Sequence, residues 1–205
     1  MLTWDPTHKL ILASASPQRS AILTQLGVSF DTRPTDVAEL DSGDAFGVAA
    51  ENARRKAQAA SAALDPAERA ATVVLACDTV VALDGRIYGK PAGEAQAGTF
   101  LTTLQGRTHD VVGAVAVACP DGRVLERSEV TAVTFAALTA PEVAAYVAIG
   151  KWRGRAGGYA IQGRGAAIVE RIDGDYLNVV GLPVQALRRL VHGLVPPFGN
   201  PAPSD

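Results

Sequence analysis

Apolar and polar positions along the 205-residue chain switch between a period near two and a period near 3.6, which predicts strands and helices mixed without strict repetition. Leu10-Ile11-Leu12-Ala13 is a short uninterrupted apolar run, the pattern of a strand buried on both faces. Ser14-Ala15-Ser16-Pro17 then supplies a helix start, with Ser16 as N-cap and Pro17 at the first helical position. Ile22, Leu23 and Leu26 share one face of that helix, and Gly27 suits its C-terminal cap. Residues 28–32 predict a second strand, 33–43 a loop, and 44–64 a long Ala-rich helix carrying Glu51, Arg54, Arg55 and Lys56.

The strongest strand signal is Val73-Val74-Leu75-Ala76-Cys77, and Asp78 follows it without a spacer. The pattern places Asp78 at the carboxyl end of a buried strand, where open α/β sheets bind their ligands. Capping a loop or pairing with an arginine is the plainer use of such a carboxylate. Residues 79–83 alternate weakly up to Asp84-Gly85, a hairpin turn signal. After Gly89-Lys90-Pro91, a helix is predicted over 94–104, facing Phe100, Leu101 and Leu104 inward and ending at Gly106. Residues 108–118 and 123–138, joined by Pro120-Asp121-Gly122, predict a long antiparallel hairpin. Thr139 and Glu142 form a capping box for a short helix to 149.

Residues 151–165 break the pattern, being rich in glycine and carrying Lys151, Arg153, Arg155 and Arg164. Such a backbone allows close approach to a ligand whose charge the basic side chains match. A strand over 166–172, a turn at 173–175 and a helix from Gly181-Leu182-Pro183 through 191 complete the pattern. The expected fold class is α/β with a mixed sheet, as one domain over 1–195. Residues 196–205 lack any apolar period and are expected to form a flexible tail.

Composition narrows the function. A chain with 48% hydrophobic residues has enough apolar surface for a substantial core, and a net charge of -2 offers no general attraction to nucleic acid or an anionic membrane. Any polyanion site must therefore be local. Cys77 and Cys119 lie in apolar runs without metal-ligand spacing and read as reduced core residues, so a thiolate-held metal is not expected. With neither a signal-like N-terminus nor a membrane-length apolar run, a soluble, cytoplasmic protein is expected.

The candidate chemistry is phosphoanhydride chemistry. Ser14, Ser16, the helix start at Pro17 and Arg19 outline an anion site, because free backbone N–H groups favour a phosphate and a guanidinium binds its oxygens bidentately. Lys90, on a constrained turn downstream of Asp78, is positioned in sequence to meet the same anion; a capped helix and a surface lysine are the plainer readings of these features. Asp78, the cations Arg19, Lys56 and Lys90, and Gln162 in the Gly-rich loop together suit triphosphate hydrolysis, which needs cations and usually Mg²⁺. No G-x-x-x-x-G-K-[ST] loop is present, which argues against the ordinary ATPase fold. Glu51 and Arg55 read as a surface pair, His109 as structural, and Trp4 and Trp152 as packing or loop residues, with Trp152 also placed to border a ligand.

Several blocks resemble the Maf-like nucleoside triphosphate pyrophosphatases. Leu10 through Arg19 is similar to the family's N-terminal signature, and Cys77-Asp78-Thr79-Val80-Val81 to its catalytic segment. Gly89-Lys90-Pro91, Gly106-Arg107-Thr108-His109-Asp110-Val111, Gly154 through Gly163, Gly174-Asp175-Tyr176 and Asn178 through Pro183 match further blocks in order. The resemblance implies an elongated fold like that of the inosine triphosphate pyrophosphatases, with two lobes around a cleft. It implies hydrolysis of a nucleoside triphosphate to the monophosphate and pyrophosphate with a divalent metal cation, Mg²⁺ or Mn²⁺. By residue, it implies Asp78 as the proton acceptor and a metal ligand, Arg19, Lys56 and Lys90 as triphosphate holders, and Ser16 as a contributor at the helix start. Glu39 matches an acidic metal-binding position, beside Ala38 in place of the usual first acid. Thr79 and Gln162 resemble the branch acting on dTTP and UTP, whereas the 7-methyl-GTP branch has Gln and Glu there. Gln18 departs from the Arg usual in the dTTP/UTP branch. A modified-purine pyrophosphatase and a nucleotide-binding regulator of septum formation are the alternatives, and a homodimer is what the family implies.

Overall fold

Residues 8–191 are described in the computed structural model of the protein. The strands are β1 (Lys9–Leu12), β2 (Asp31–Thr32), β3 (Thr72–Leu83), β4 (Arg86–Tyr88), β5 (Thr108–Ala118), β6 (Val124–Phe135) and β7 (Val169–Asp173). The helices are α1 (Pro17–Gln25), α2 (Ala45–Ala62), α3 (Pro66–Ala70), α4 (Glu94–Leu104), α5 (Ala140–Ile149), α6 (Tyr176–Val180) and α7 (Val184–Val191). The strands form one mixed sheet in the order β2-β1-β3-β5-β6-β7, with β4 added to β3. β1 runs parallel to β2 and β3, and the remaining pairs are antiparallel. The α/β class expected from the periodicity is therefore the observed one.

The sheet sorts side chains by parity, since neighbours along a strand point to opposite faces. Leu75 and Cys77 join Leu10, Leu12, Ile22, Leu23 and Leu187 in a core under α1 and α7. Val74 and Ala76 join Ala49, Ala53, Ala57 and Ala60 on the opposite face, where the small residues of α2 bring its backbone close to the sheet. A third cluster at the far end of β3 packs Val81, Leu83 and Tyr88 against Phe100, Leu101 and Leu104 of α4 and Tyr146 of α5. The two near clusters and the distal cluster form the two lobes, and the long strands β3, β5 and β6 run through both.

β3 overturns one expectation. Asp78 does not end a strand: β3 continues through it because the pairing with β5 is unbroken from Val74↔Ala118 to Ala82↔Asp110. The strand that does end is β1, whose last pair is Leu12↔Leu75. Beyond it that edge of β3 is free until β4 begins at Val81↔Tyr88. The turn joining β3 to β4 has Asp84 at φ 53° and Gly85 at φ 73°, the backbone of the tight hairpin read from the sequence.

Other boundaries shift by a few residues. Strand 28–32 shrinks to Asp31–Thr32, which pair with Ile11 and Leu12 of β1. β6 stops at Phe135 rather than 138, and residues 163–168 form a 3-10 turn before β7 rather than its first half. α3 and α6 were not anticipated, yet each has an aspartate cap: Asp65 accepts from the Glu68 N–H at 2.8 Å and Asp175 from the Leu177 N–H at 2.8 Å. Trp4 and the tail at 196–205 lie outside the described residues.

α6 is tied to the sheet by a close approach at Gly113. The buried Asn178 side chain donates to the Val111 carbonyl at 3.0 Å and to Thr131 Oγ1 at 3.1 Å. A Cβ on residue 113 would stand 1.8 Å from Asn178 Oδ1. Gly113→Ala should therefore displace Asn178 and cost roughly 2–4 kcal/mol, read as a lower midpoint in urea unfolding.

Candidate active site

The free edge of β3 opens into a cleft of about 520 Å³. Its lining contains Ser16, Gln18, Arg19, Glu39, Lys56, Asp78, Thr79, Lys90 and Gln162, so every site residue expected from the sequence comes to one place. Arg153 and Arg155 of the Gly-rich loop join them, giving five cations against the carboxylates of Asp78 and Glu39. That surplus of positive charge suits an anionic ligand in a chain whose overall charge is negative.

The cleft wraps around the edge of the sheet. On the α2 side, Lys56 Nζ donates to Asp78 Oδ1 at 2.6 Å and pairs with Glu39 Oε1 at 2.6 Å, so two carboxylates converge on one ammonium. Asp78 and Lys56 are both buried, which makes the pairing obligatory for either charge. Glu39 Oε2 also accepts from the exposed Lys90 at 3.0 Å. On the α1 side, Arg19 donates to the Gly181 carbonyl at 2.9 Å, to Ser14 Oγ at 2.9 Å and to Thr79 Oγ1 at 3.3 Å. Ser16 sits at the N-cap as expected, but its hydroxyl donates to Gln18 Oε1 at 3.2 Å and leaves the first turn of α1 uncapped by a side chain. The N–H groups of that turn therefore face the cleft without a side-chain partner from Ser16.

Asn52 was missed in the sequence. Its amide donates to Asp78 Oδ2 at 3.1 Å and to the Leu40 carbonyl at 3.0 Å, while its Oδ1 accepts from the Leu40 N–H at 2.7 Å. It thereby clamps the Glu39 loop to the Asp78 strand. The available signal was its place four residues before Lys56, on the same face of a predicted helix.

The plainer readings hold elsewhere. Glu51 pairs with Arg54 and, at 2.7 Å, with Arg55 on the surface of α2. His109 is buried against Phe135 and Tyr159, with Nε2 2.9 Å from the Tyr159 hydroxyl, and burial pushes its imidazole down to about 4. Trp152 is buried, donates to the Val147 carbonyl at 3.0 Å, and stands outside the cleft lining. Burial pushes the Cys77 thiol up to about 11, so it is a core residue rather than a nucleophile. No helix among the described residues is long and apolar enough to cross a membrane.

A family model described as Maf-like protein matches residues 9–194, and the chain belongs to that family. A dTTP/UTP pyrophosphatase of Rhodospirillum rubrum is 45% identical over 185 residues, covering 90% of this chain and 87% of that protein. A dTTP/UTP pyrophosphatase of Hyphomonas neptunium is 45% identical over 188 residues, covering 90% of this chain and 95% of its own. Among solved structures, a HAM1 protein from Coxiella burnetii shares the fold, with a TM-score of 0.54 at 18% identity over 91% of this chain and 98% of that one.

Glu39 supplies a pH test of the network. Burial pushes its carboxyl up, but the hydrogen bonds and charges of Lys56 and then Lys90 outweigh burial and hold it down at about 2, against an ordinary 4.5. A carboxyl whose folded value is depressed adds stability above its unfolded value and loses it as pH falls through the folded one. Urea midpoints should therefore drop between about pH 4.5 and 2, and Glu39→Gln should flatten that part of the curve. The loss from His109, whose folded value is also depressed, falls in a higher window between about 6.5 and 4 and should remain in the variant.

Proposed function

We propose that the protein hydrolyses dTTP and UTP, and modified pyrimidine nucleoside triphosphates, to the monophosphate and pyrophosphate. The observation that carries this reading is Asp78: a buried carboxylate held at both oxygens, by Lys56 and Asn52, inside a cation-lined cleft. Each oxygen retains a further acceptor position, so the carboxylate is oriented and still able to take a proton. Water gives that proton to Asp78 as its oxygen bonds to the α-phosphorus, and the bond from that phosphorus to the bridging oxygen breaks to release pyrophosphate. Arg19, fixed by Ser14, Thr79 and Gly181, and Lys90 meet the charge that grows on the phosphate oxygens. The names of the relatives from Rhodospirillum rubrum and Hyphomonas neptunium support the same substrates.

A divalent cation fits the residues present. The carboxylates of Glu39 and Asp78 already converge on one positive group, and one or two carboxylates joined by phosphate oxygens and water is the usual magnesium donor set. Glu39 and Asp78 would hold the ion, which when bound neutralises phosphate charge and polarises the scissile bond. Substrate arrival then gives Lys56 and Lys90 new acceptors in place of Glu39.

Base selection falls to Gln162, exposed on the cleft wall, whose amide pairs with the carbonyl and N–H of a pyrimidine. Thr79 acts through Arg19, to which its hydroxyl is bound. Gln18 stands where the dTTP/UTP branch usually has Arg, and its bond to Ser16 keeps it at the start of α1.

Pyrophosphate release over a panel of nucleoside triphosphates with Mg²⁺ or Mn²⁺ tests the reading, with dTTP and UTP expected to turn over fastest. Asp78→Asn should lower kcat by roughly 10²–10⁴-fold, and unchanged turnover would remove Asp78 from the chemistry. Gln162→Glu should cut kcat/KM for dTTP and UTP about tenfold or more, and rates equal to those of the parent protein would reject it as the base-reading residue.

A further inference from the structure

The cations of the cleft are not equally free. Lys56 is held between Asp78 and Glu39, Lys90 lies against Glu39, and Arg19 is bound to three oxygens of the protein. Arg153 pairs with Glu94 at 3.3 Å and lies over the Trp152 ring at 4.7 Å. Arg155 differs from all of them. It lines the cleft, is half-buried, and has no hydrogen-bonding or ion-pair partner for its side chain among the described residues. Burial lowers the pKa of its guanidinium, and the Tyr146 hydroxyl beside it is engaged elsewhere, accepting from the Ala160 N–H at 3.0 Å. A guanidinium carries five donors, and withdrawing it from water without an acceptor is unfavourable unless a ligand supplies one.

The backbone fixes where that acceptor must come. The Arg155 carbonyl accepts from the Gly158 N–H at 3.1 Å, closing a 3-10 turn, and the Gly157 N–H donates to the Gly89 carbonyl at 3.1 Å. The turn is thus docked on Gly89-Lys90-Pro91. Gly157 has φ 69°, and a Cβ there would stand 3.0 Å from both methyls of Val81, so the docking is close. Arg155 is thus carried on the wall that also carries Lys90, and both it and Gln162 line the cleft.

We propose that Arg155 is a substrate-binding residue for the polyphosphate, meeting its oxygens at the Lys90 end of the cleft. This rests on the reading of a polyphosphate substrate, and it singles out one of the basic residues of the Gly-rich loop to join Arg19, Lys56 and Lys90 as a holder of that anion. Because Arg155 gives up no protein partner when the anion arrives, it exchanges only water for phosphate oxygens, whereas Lys56 and Lys90 exchange Glu39 for substrate. A residue poised in this way trades stability of the empty protein for affinity.

The test is calorimetric binding of inorganic tripolyphosphate at fixed magnesium, with thermal unfolding of the ligand-free protein, for the parent protein, Arg155→Met and Arg155→Lys. Arg155→Met should weaken tripolyphosphate binding by roughly ten- to hundredfold, leave the ligand-free Tm unchanged or raised, and flatten the salt dependence of binding. Arg155→Lys should recover part of the affinity by restoring the charge without the fork. Unchanged affinity in Arg155→Met overturns the proposal. So does a ligand-free Tm lowered in both variants together with lost binding, which is the behaviour of a structural residue. Nucleotide turnover by the parent protein separates the two levels: turnover with Arg155-independent binding sinks this inference alone, while Arg155-dependent tripolyphosphate binding without turnover of any nucleotide sinks the pyrophosphatase reading alone.

Discussion

The site exists because β3 outlasts β1. β1 pairs with the first third of β3 and stops at Leu12, while β5 holds the other edge of β3 straight through Asp78 to Ala82. The stretch of β3 between the end of β1 and the start of β4 is therefore rigid, since one edge is fully paired, and open, since the other is not. Rigid backbone with a free edge is what a reacting carboxylate requires, because it fixes the side chain without covering it. The loop after β1 carries Ser14 and Ser16 across this opening, and α1 begins where β1 can no longer contribute a strand.

Parity along β3 then divides the work between the faces. Asp78 points to the α2 side, where Lys56 and Asn52 hold it, and Thr79 points to the α1 side, where Arg19 holds it. Ligand placed at the edge can meet both sets. Charge compensation keeps the empty arrangement stable, since Lys56 neutralises Asp78 and Glu39 neutralises what remains of Lys56 and Lys90. The Glu39 carboxylate occupies the lysines as a phosphate would, and Asn52 keeps its loop beside Asp78.

Much of this was legible in the sequence. The long hairpin, the capping box at Thr139 and the helix at Glu94–Leu104 followed from period, turn residues and caps, all of which are local signals. The chemistry-bearing residues followed from their grouping in short blocks, and the structure brings them to one cleft. What the chain did not disclose was pairing. Nothing in residues 73–83 says where a neighbouring strand stops, so Asp78 was expected at a strand end when the end belongs to β1. Asn52 looked like one polar residue among many in a helix, and its partners Leu40 and Asp78 are distant in sequence. The short helices α3 and α6 were hidden by their length, although Asp65-Pro66 and Asp175 were visible caps.

Cys77 and Asp78 are adjacent in the chain and opposite in fate. The thiol enters the apolar cluster with Leu75, Val115 and Leu187, and the carboxylate enters the one place on the far face where an ammonium waits. A slip of β3 by one residue would exchange them, setting the carboxylate among aliphatic side chains away from Lys56 and Asn52 and stranding Lys56 beside a thiol that burial keeps protonated. The pair therefore favours one register of the central sheet: the slip that removes the reacting group from the cleft also removes the buried Lys56–Asp78 ion pair, so register and site are specified by the same two residues.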